Sequence, residues 1–117
     1  MFSPTEAKIF SGSYDGTVRV WNARTGALER TLEVNDDLIC DLAISRDGTR
    51  IAAAAHDKTV WVWDAQTGAL VHNLQGHTAA VWAVAISPDN TKAVSASTDD
   101  TVRVWDLVNG RMARVFK

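Results

Sequence analysis

The segment "DDTVRVWD" at residues 99–106 closely repeats "DKTVWVWD" at 57–64 and "DGTVRVWN" at 15–22. The copies lie 42 residues apart and align without gaps. Each begins with an Asp, carries a Trp six residues later and is followed by a Gly five residues after that Trp. Repeats with a period of about 20–50 residues indicate stacked or radial architectures, because one unit alone cannot bury its apolar faces. A repeat architecture is therefore predicted for the whole chain.

The repeat divides the 117 residues into units at 1–33, 34–75 and 76–117. Each full unit holds four short runs rich in Val, Ile and aromatic residues, bounded by turn-forming residues. Because the connections are short, successive runs must pair as antiparallel hairpins, which predicts a four-stranded sheet for each full unit. The first unit starts partway through the pattern and is predicted to lack its innermost strand. In the last unit the runs lie at 80–87, 92–97, 101–105 and 111–116.

Composition narrows the classes of partner. Apolar residues make up 46% of the chain and charged residues 22%, which is typical of a folded soluble domain. The net charge of −2 and the scattered basic residues predict neither nucleic acid nor an anionic membrane surface as partner. The longest apolar run, at 79–86, is too short to span a bilayer. With a single cysteine, Cys40, no internal disulfide forms, and an intracellular, cytoplasmic location is expected.

Runs that are apolar on both faces, such as "AVWAVAI" at 80–86, indicate that each sheet is covered on both sides. The period of 42, the Trp-Asp end of the third run, "QGHTAAV" at 75–81 and "SPDN" at 87–90 resemble the WD-repeat β-propeller family. The resemblance extends over essentially the whole chain. It implies an all-β partial propeller of about three four-stranded antiparallel blades in a single domain, 1–117.

The resemblance also implies a hydrogen-bonded chain of four polar side chains within a blade. In the family, a Trp indole donates to a Ser or Thr hydroxyl, which meets a His and then an Asp. In the last unit the matching residues are Trp105, Ser97 or Ser95, His77 and Asp99. A Ser, a His and an Asp also suggest a catalytic triad, but a hydroxyl bound to an indole inside a sheet, with no evident oxyanion hole, predicts a structural network. No catalytic, cofactor or metal residue is predicted.

The other two units keep only part of this set. In the middle unit Asn35 replaces the His, and Ala53 and Ala55 replace the Ser residues, so its network is not expected to close. In the first unit the His position precedes the first residue of the sequence. The matching residues that these units retain are Trp63 and Asp57 in the middle unit, and Trp21, Asp15 and Ser11 or Ser13 in the first.

Partner-binding residues are expected at variable positions beside the structural ones. In the family, partners dock on one end of the blades or on the rim, and aromatic residues are common interface anchors. The position before the turn Asp and one position in the first run supply the candidates Tyr14, His56, Thr98 and Trp82. For Trp82 the alternative is packing between blades. Trp61 is either an exposed contact point or a cover for a neighbouring blade edge, and Cys40 is expected to be a small buried hydrophobe.

Propellers close with about 4–8 blades, more than this chain encodes. Two accounts follow: the chain is a piece of a longer propeller, or two or three chains associate head to tail into a ring. The predicted function is a non-enzymatic scaffold for protein–protein interaction, with a self-assembling ring unit as the alternative. An enzyme or small-molecule site on the central channel is disfavoured, because Asp41 is the only acidic residue well inside a first strand.

Overall fold

The computed structural model describes residues 8–12, 16–33 and 38–117. Within these ranges the chain forms eleven β-strands and no helix, and hence no helix long and apolar enough to cross a membrane. The strands are β1 Lys8–Gly12, β2 Thr17–Asn22, β3 Leu28–Glu33, β4 Ile39–Ile44, β5 Arg50–Ala55, β6 Thr59–Asp64, β7 Leu70–Gln75, β8 Val81–Ile86, β9 Lys92–Ser97, β10 Val102–Asp106 and β11 Arg111–Phe116.

The strands form three antiparallel sheets in chain order. Blade 1 contains β1–β3, blade 2 contains β4–β7 and blade 3 contains β8–β11. Blade 1 therefore has three strands among the described residues, with β1 at its inner edge. The predicted all-β architecture of antiparallel blades is confirmed, since every pairing is between strands adjacent in sequence.

One apolar core lies on each side of blade 2. Residues alternate between the two faces of a strand, so one sheet can contribute to two cores. The core between blades 1 and 2 contains Phe10, Val18, Val20, Leu32, Ile39, Ile51, Ala53, Ala55, Trp61, Trp63 and Ala65. The core between blades 2 and 3 contains Ala43, Ala52, Ala54, Val60, Val62, Leu74, Val81, Val84, Ala93, Trp105 and Leu107.

The outer face of blade 3 lacks the cover that blade 2 has. Val60 and Val102 occupy the same repeat position, yet Val60 is 0% exposed and Val102 is 38% exposed. Leu74 and Phe116 are likewise equivalent, and their exposures are 2% and 49%. The cause is that blade 3 packs on the Val60 side of blade 2, whereas no described sheet packs on the Val102 side of blade 3. An apolar face equivalent to the one that blade 2 buries is therefore exposed at this end of the described chain.

Val60→Ala is expected to lower the free energy of unfolding by about 1.5–3 kcal/mol, because methyl groups are lost from a packed core. Val102→Ala is the same change at the equivalent exposed position and is expected to cost about 0.5 kcal/mol or less. Urea unfolding in dilute solution, followed by tryptophan fluorescence, measures both. Equal losses would contradict the difference in burial.

Candidate functional site

Four polar side chains form a continuous hydrogen-bonded chain on the face of blade 3 that packs against blade 2. The indole Nε1–H of Trp105 donates to Ser95 Oγ at 2.8 Å. Ser95 Oγ lies 2.7 Å from His77 Nε2, and His77 Nδ1 lies 2.9 Å from Asp99 Oδ2. With His77 neutral and protonated on Nδ1, each donor has one acceptor: indole to hydroxyl, hydroxyl to imidazole, imidazole to carboxylate. The four groups are thus satisfied inside an apolar interface.

Asp99 is the acceptor at the end of this chain. It also accepts hydrogen bonds from the amides of Thr78 and Thr101, at 3.0 and 2.9 Å, and from the Thr101 hydroxyl. Burial raises the pKa of Asp99, but the hydrogen bonds from Thr101, His77 and Thr78 outweigh burial and hold the pKa well below its usual value of 3.8. The side chain is therefore an anion that fixes the loop before β8 to the turn before β10.

Ser95, and not Ser97, bridges the Trp105 indole and the His77 imidazole. Of the two hydroxyls expected from the sequence, Ser97 therefore does not fill this place. Ser97 Oγ donates to the carbonyls of Ala79 and Ala80, at 3.0 and 2.9 Å, and accepts from the amide of Asp99 at 3.1 Å. Its hydroxyl is used at the end of β9, where the strand meets the loop. Ser95 lies two residues further inside the sheet, within reach of Trp105.

Blade 2 satisfies its turn Asp in another way. Asp57 accepts from the amide and hydroxyl of Thr59, at 3.0 and 2.6 Å, and from the indole Nε1–H of Trp61 at 3.0 Å. Trp61 is 9% exposed and stacks on Trp63, with ring centroids 6.3 Å apart. Of the two alternatives for Trp61, the exposed contact point is therefore wrong, and the side chain packs against blade 1. Its indole fills the interface and supplies the hydrogen bond that His77 makes in blade 3.

Blade 1 shows one bond of the same kind. Trp21 Nε1 donates to Ser11 Oγ at 3.1 Å, and this bond is equivalent to the one from Trp105 to Ser95 two blades later in the chain. The Trp21 bond is exposed, because no described sheet covers that face of blade 1. Asp15 and Ser13, also expected in this network, lie outside the described residues.

The order Ser95, His77, Asp99 is that of a catalytic triad, but the Ser95 hydroxyl is not accessible to a substrate. Ser95 is fully buried, and its oxygen already contacts both the Trp105 indole and the His77 imidazole. Asp41, the acidic residue of the first strand, accepts from the amide of Val84 at 3.1 Å and so joins the inner strands of blades 2 and 3. Across 8–12, 16–33 and 38–117, no three His, Cys, Asp or Glu side chains are grouped to hold a metal ion.

A second polar network, at the opposite end of the blades, was not recognised from the sequence. Ser45 Oγ donates to Asp47 Oδ1 at 2.8 Å, and Ser87 makes the same bond to Asp89 at 2.7 Å. Hydrogen bonds lower the pKa of each carboxyl to about 2. The largest contribution comes from the Thr49 hydroxyl for Asp47 and from the Ser87 hydroxyl for Asp89. Asn90 Nδ2 donates to Asp47 Oδ2 at 2.6 Å and links the two turns. The repeated Ser-x-Asp-x-Thr spacing was the available signal.

The candidate binding residues have different environments. Trp82 is 54% exposed and lines an open cleft of about 520 Å³ with Thr98, Val102 and Phe116. His56 and Thr98 are exposed at equivalent positions of blades 2 and 3. Tyr14 lies outside the described residues.

Cys40, expected to be buried, is exposed. Cys40 and Trp82 are equivalent, and the register of each inner strand shifts at that residue. Such a bulge removes a residue from the regular alternation and redirects its side chain. Exposure at this position thus follows from the backbone, in blade 2 as in blade 3.

Comparison with known proteins supports the fold. The family model described as "WD domain, G-beta repeat" matches residues 1–22, 26–64 and 68–106. Apoptotic protease-activating factor 1 of Mus musculus is 38% identical over 48 residues, 41% of this chain and 4% of that protein. Coronin-7 of Mus musculus is 44% identical over 52 residues, 44% of this chain and 6% of that protein.

Solved structures agree over nearly the whole length. "Structure of U3-55K" and "Crystal structure of RRP9 WD40 repeats" each superpose on 99% of this chain with a TM-score of 0.94 at 23% sequence identity. This chain covers 37% of each of those chains. It therefore spans only a part of the proteins it resembles, and the likeness to these structures concerns the fold.

Ser95→Ala is expected to lower the free energy of unfolding by about 2–5 kcal/mol, because the Trp105 indole and the His77 imidazole both lose a buried partner. The matched control is Ser11→Ala, whose bond to Trp21 is exposed and whose loss is expected to cost about 0.5 kcal/mol or less. Urea unfolding of both variants tests this. A cost for Ser95→Ala no larger than that for Ser11→Ala would contradict the proposed role.

Acid is expected to destabilise the protein through Asp99. A carboxyl whose pKa is lower in the folded state stabilises that state above its unfolded pKa, about 4, and this stabilisation is lost as the pH falls through the folded value. Asp99→Asn should be less stable at pH 7 and should lose less stability on acidification from about pH 4 to 2. Urea midpoints at several pH values measure the slope. An unchanged slope would show that Asp99 does not carry the effect.

Proposed function

Because the chain belongs to the WD40 repeat family, whose members generally act as protein-interaction scaffolds, we propose that it is a non-enzymatic protein-binding module. The rigid part is the set of stacked sheets with their internal polar networks. The binding part is a small set of exposed side chains at the end of the blades that carries the Asp99 turn, here called the top edge.

The exposure of Trp82 is the observation that carries this proposal. A large aromatic side chain lies open to solvent on a strand whose neighbours Val81 and Val84 are buried. The bulge that redirects Trp82 also fixes its position, because β8 pairs with β9 on both sides of it. Aromatic residues held rigidly beside a depression are common anchors of protein interfaces.

The cleft next to Trp82 supports a partner with an apolar side chain flanked by polar groups. Its apolar wall is formed by Ala96, Val102 and Phe116, and its edge by Thr98 and Asp100. An exposed peptide segment that inserts one aliphatic or aromatic side chain would bury the apolar wall and leave its backbone near the polar edge. His56 is exposed at the position of blade 2 that is equivalent to Thr98, and Tyr14 is assigned to the top edge by its position in the repeat.

The polar groups of blade 3 support a binding role over a catalytic one. The Ser95, His77 and Asp99 side chains are committed to one another and to the indole of Trp105. A substrate would have to separate blades 2 and 3 to reach them. Binding at the top edge requires no such opening.

Trp82→Ala is expected to reduce recovery of protein partners from cell extract by about tenfold or more, since loss of an interface anchor costs about 2 kcal/mol or more. The matched control is Val108→Ala, which removes another exposed apolar side chain away from the cleft. Quantitative mass spectrometry of proteins captured on the immobilised variants gives the ratio. Equal recovery on the Trp82→Ala chain and the unaltered chain would contradict the assignment of the site.

A further inference from the structure

A side chain on the outermost strand of each of the first two blades binds the last turn of the blade that follows. Arg30 on β3 donates to the carbonyls of Thr67 and Gln66 in the turn between β6 and β7, the latter at 3.2 Å. His72 on β7 lies with its Nε2 2.7 Å from the carbonyl of Leu107, the first residue of the turn between β10 and β11. Arg30 and His72 occupy the same repeat position. We name this contact the rim latch.

The receiving turn has one geometry in every blade. A Gly with positive φ ends it, 76° at Gly68 and 70° at Gly110. The latch side chain lies directly over that Gly: a Cβ on Gly68 would be 2.8 Å from Arg30 Cδ, and one on Gly110 would be 2.8 Å from His72 Cε1. The backbone conformation therefore favours glycine at these positions, and the close approach of the latch side chain leaves little room for a Cβ.

Each end of the array carries one open half of the latch. Arg114 on β11 is the equivalent of Arg30 and His72, and its guanidinium lies 5.8 Å from the ring centroid of Phe116. At the other end, the turn in blade 1 has Gly26 at a φ of 74°, and nothing in the described chain lies within 4 Å of where its Cβ would be. Asn22 accepts from the amides of Arg24 and Thr25, as Asp64 accepts from those of Gln66 and Thr67, so the turn is already formed.

The apolar faces behind the two open halves match in the same way. Val102 and Phe116 are the blade 3 equivalents of Val60 and Leu74, the two residues of blade 2 that pack against blade 3. Trp21 on blade 1 is the equivalent of Trp105, which packs against that surface within the chain. The parts of an established interface that β9–β11 and their equivalents form are therefore present, one at each end of the described chain, whereas Val81 and Val84 of β8 have no described counterpart in blade 1.

We propose that a second copy of this chain binds head to tail, with Arg114 of one copy donating to the carbonyls of the 22–26 turn of the next. The outer face of blade 3 then packs against the Trp21 face of blade 1 in the neighbouring copy. The contact is heterologous, so it generates a closed ring or an open array. The rim latch lies outside the cleft beside Trp82, but Val102 and Phe116 belong both to the joining face and to the wall of that cleft, so a joint between copies covers part of the cleft.

A second copy is favoured because it supplies the complement of both open ends. A partner with one apolar patch would cover blade 3 and leave the turn at Gly26 and the Trp21 face unfilled.

Sedimentation velocity of the chain at about 1–100 μM is expected to show concentration-dependent association. Arg114→Ala should raise the dissociation constant about tenfold or more, because hydrogen bonds from a charged donor are lost. Gly26→Asn should do the same: Asn tolerates the positive φ, and its side chain would occupy the place of the latch. Arg111→Ala, which removes the same charge from the same strand, is the matched control and should change the constant less than about threefold.

Two further variants separate the latch from general charge effects. Arg114→His introduces the residue that blade 2 uses at this position and should retain association within about threefold. The double variant Arg114→Ala, Gly26→Asn should have the same dissociation constant as the single variant that associates more weakly, because both substitutions remove the same contact. Far-UV circular dichroism of each variant checks that the fold is kept.

The proposal is overturned if the unaltered chain remains a monomer up to about 100 μM. A blade of a different protein would then be the remaining candidate to cover the outer face of blade 3. It is also overturned if Arg111→Ala weakens association as much as Arg114→Ala, or if the effects of the two latch variants multiply. Loss of partner recovery with Trp82→Ala, with association unchanged, would support the proposed function alone. The latch variants at Arg114 and Gly26 change no residue that lines the cleft, so the two proposals can fail separately.

Discussion

Packing of one sheet against the next is the interaction on which the rest of this structure depends. Blade 2 buries both of its faces because Ile51, Ala53 and Ala55 face blade 1, whereas Ala52 and Ala54 face blade 3. Each fully buried aliphatic side chain contributes about 1.5–3 kcal/mol, so the two cores outweigh the weak β-propensity of an alanine run. Small side chains in β5 also leave room for large ones from its neighbours, such as Trp105 in the second core.

Polar groups enter these cores only where each one has a partner. In blade 3 the indole of Trp105 is connected through Ser95 and His77 to an anionic Asp99, which is also held by backbone amides. Blade 2 lacks the His and the Ser, and Trp61 donates directly to Asp57 instead. Two different sets of side chains thus donate to the carboxylate at equivalent positions, Asp57 and Asp99. The position requires a hydrogen-bond donor beside the carboxylate and not a particular residue.

Much of the fold could be predicted from the sequence, since strand order and pairing follow from a gapless repeat and short connections. The candidate site was less predictable, because side chains two residues apart on one strand share a face. Ser95 and Ser97 both face blade 2, and only the depth of the Trp105 indole decides between them. Cys40 was expected to be buried, and the bulge that exposes it changes the count of residues between partners without changing the spacing of the repeat. The rim latch was missed because Arg30 and His72 differ in type and act between units.

Stability in a repeat array is approximately a sum of unit terms and interface terms. The described chain has three sheets and two interfaces, so it has one interface term fewer than it has unit terms. Each head-to-tail joint adds one interface without adding a unit, and a closed ring of copies has as many interfaces as sheets. The residues that such a joint requires, Val102, Phe116 and Trp21, are of the types that the interior interfaces bury. The proposed association would therefore be coupled to folding stability, because whatever covers blade 3 also stabilises it.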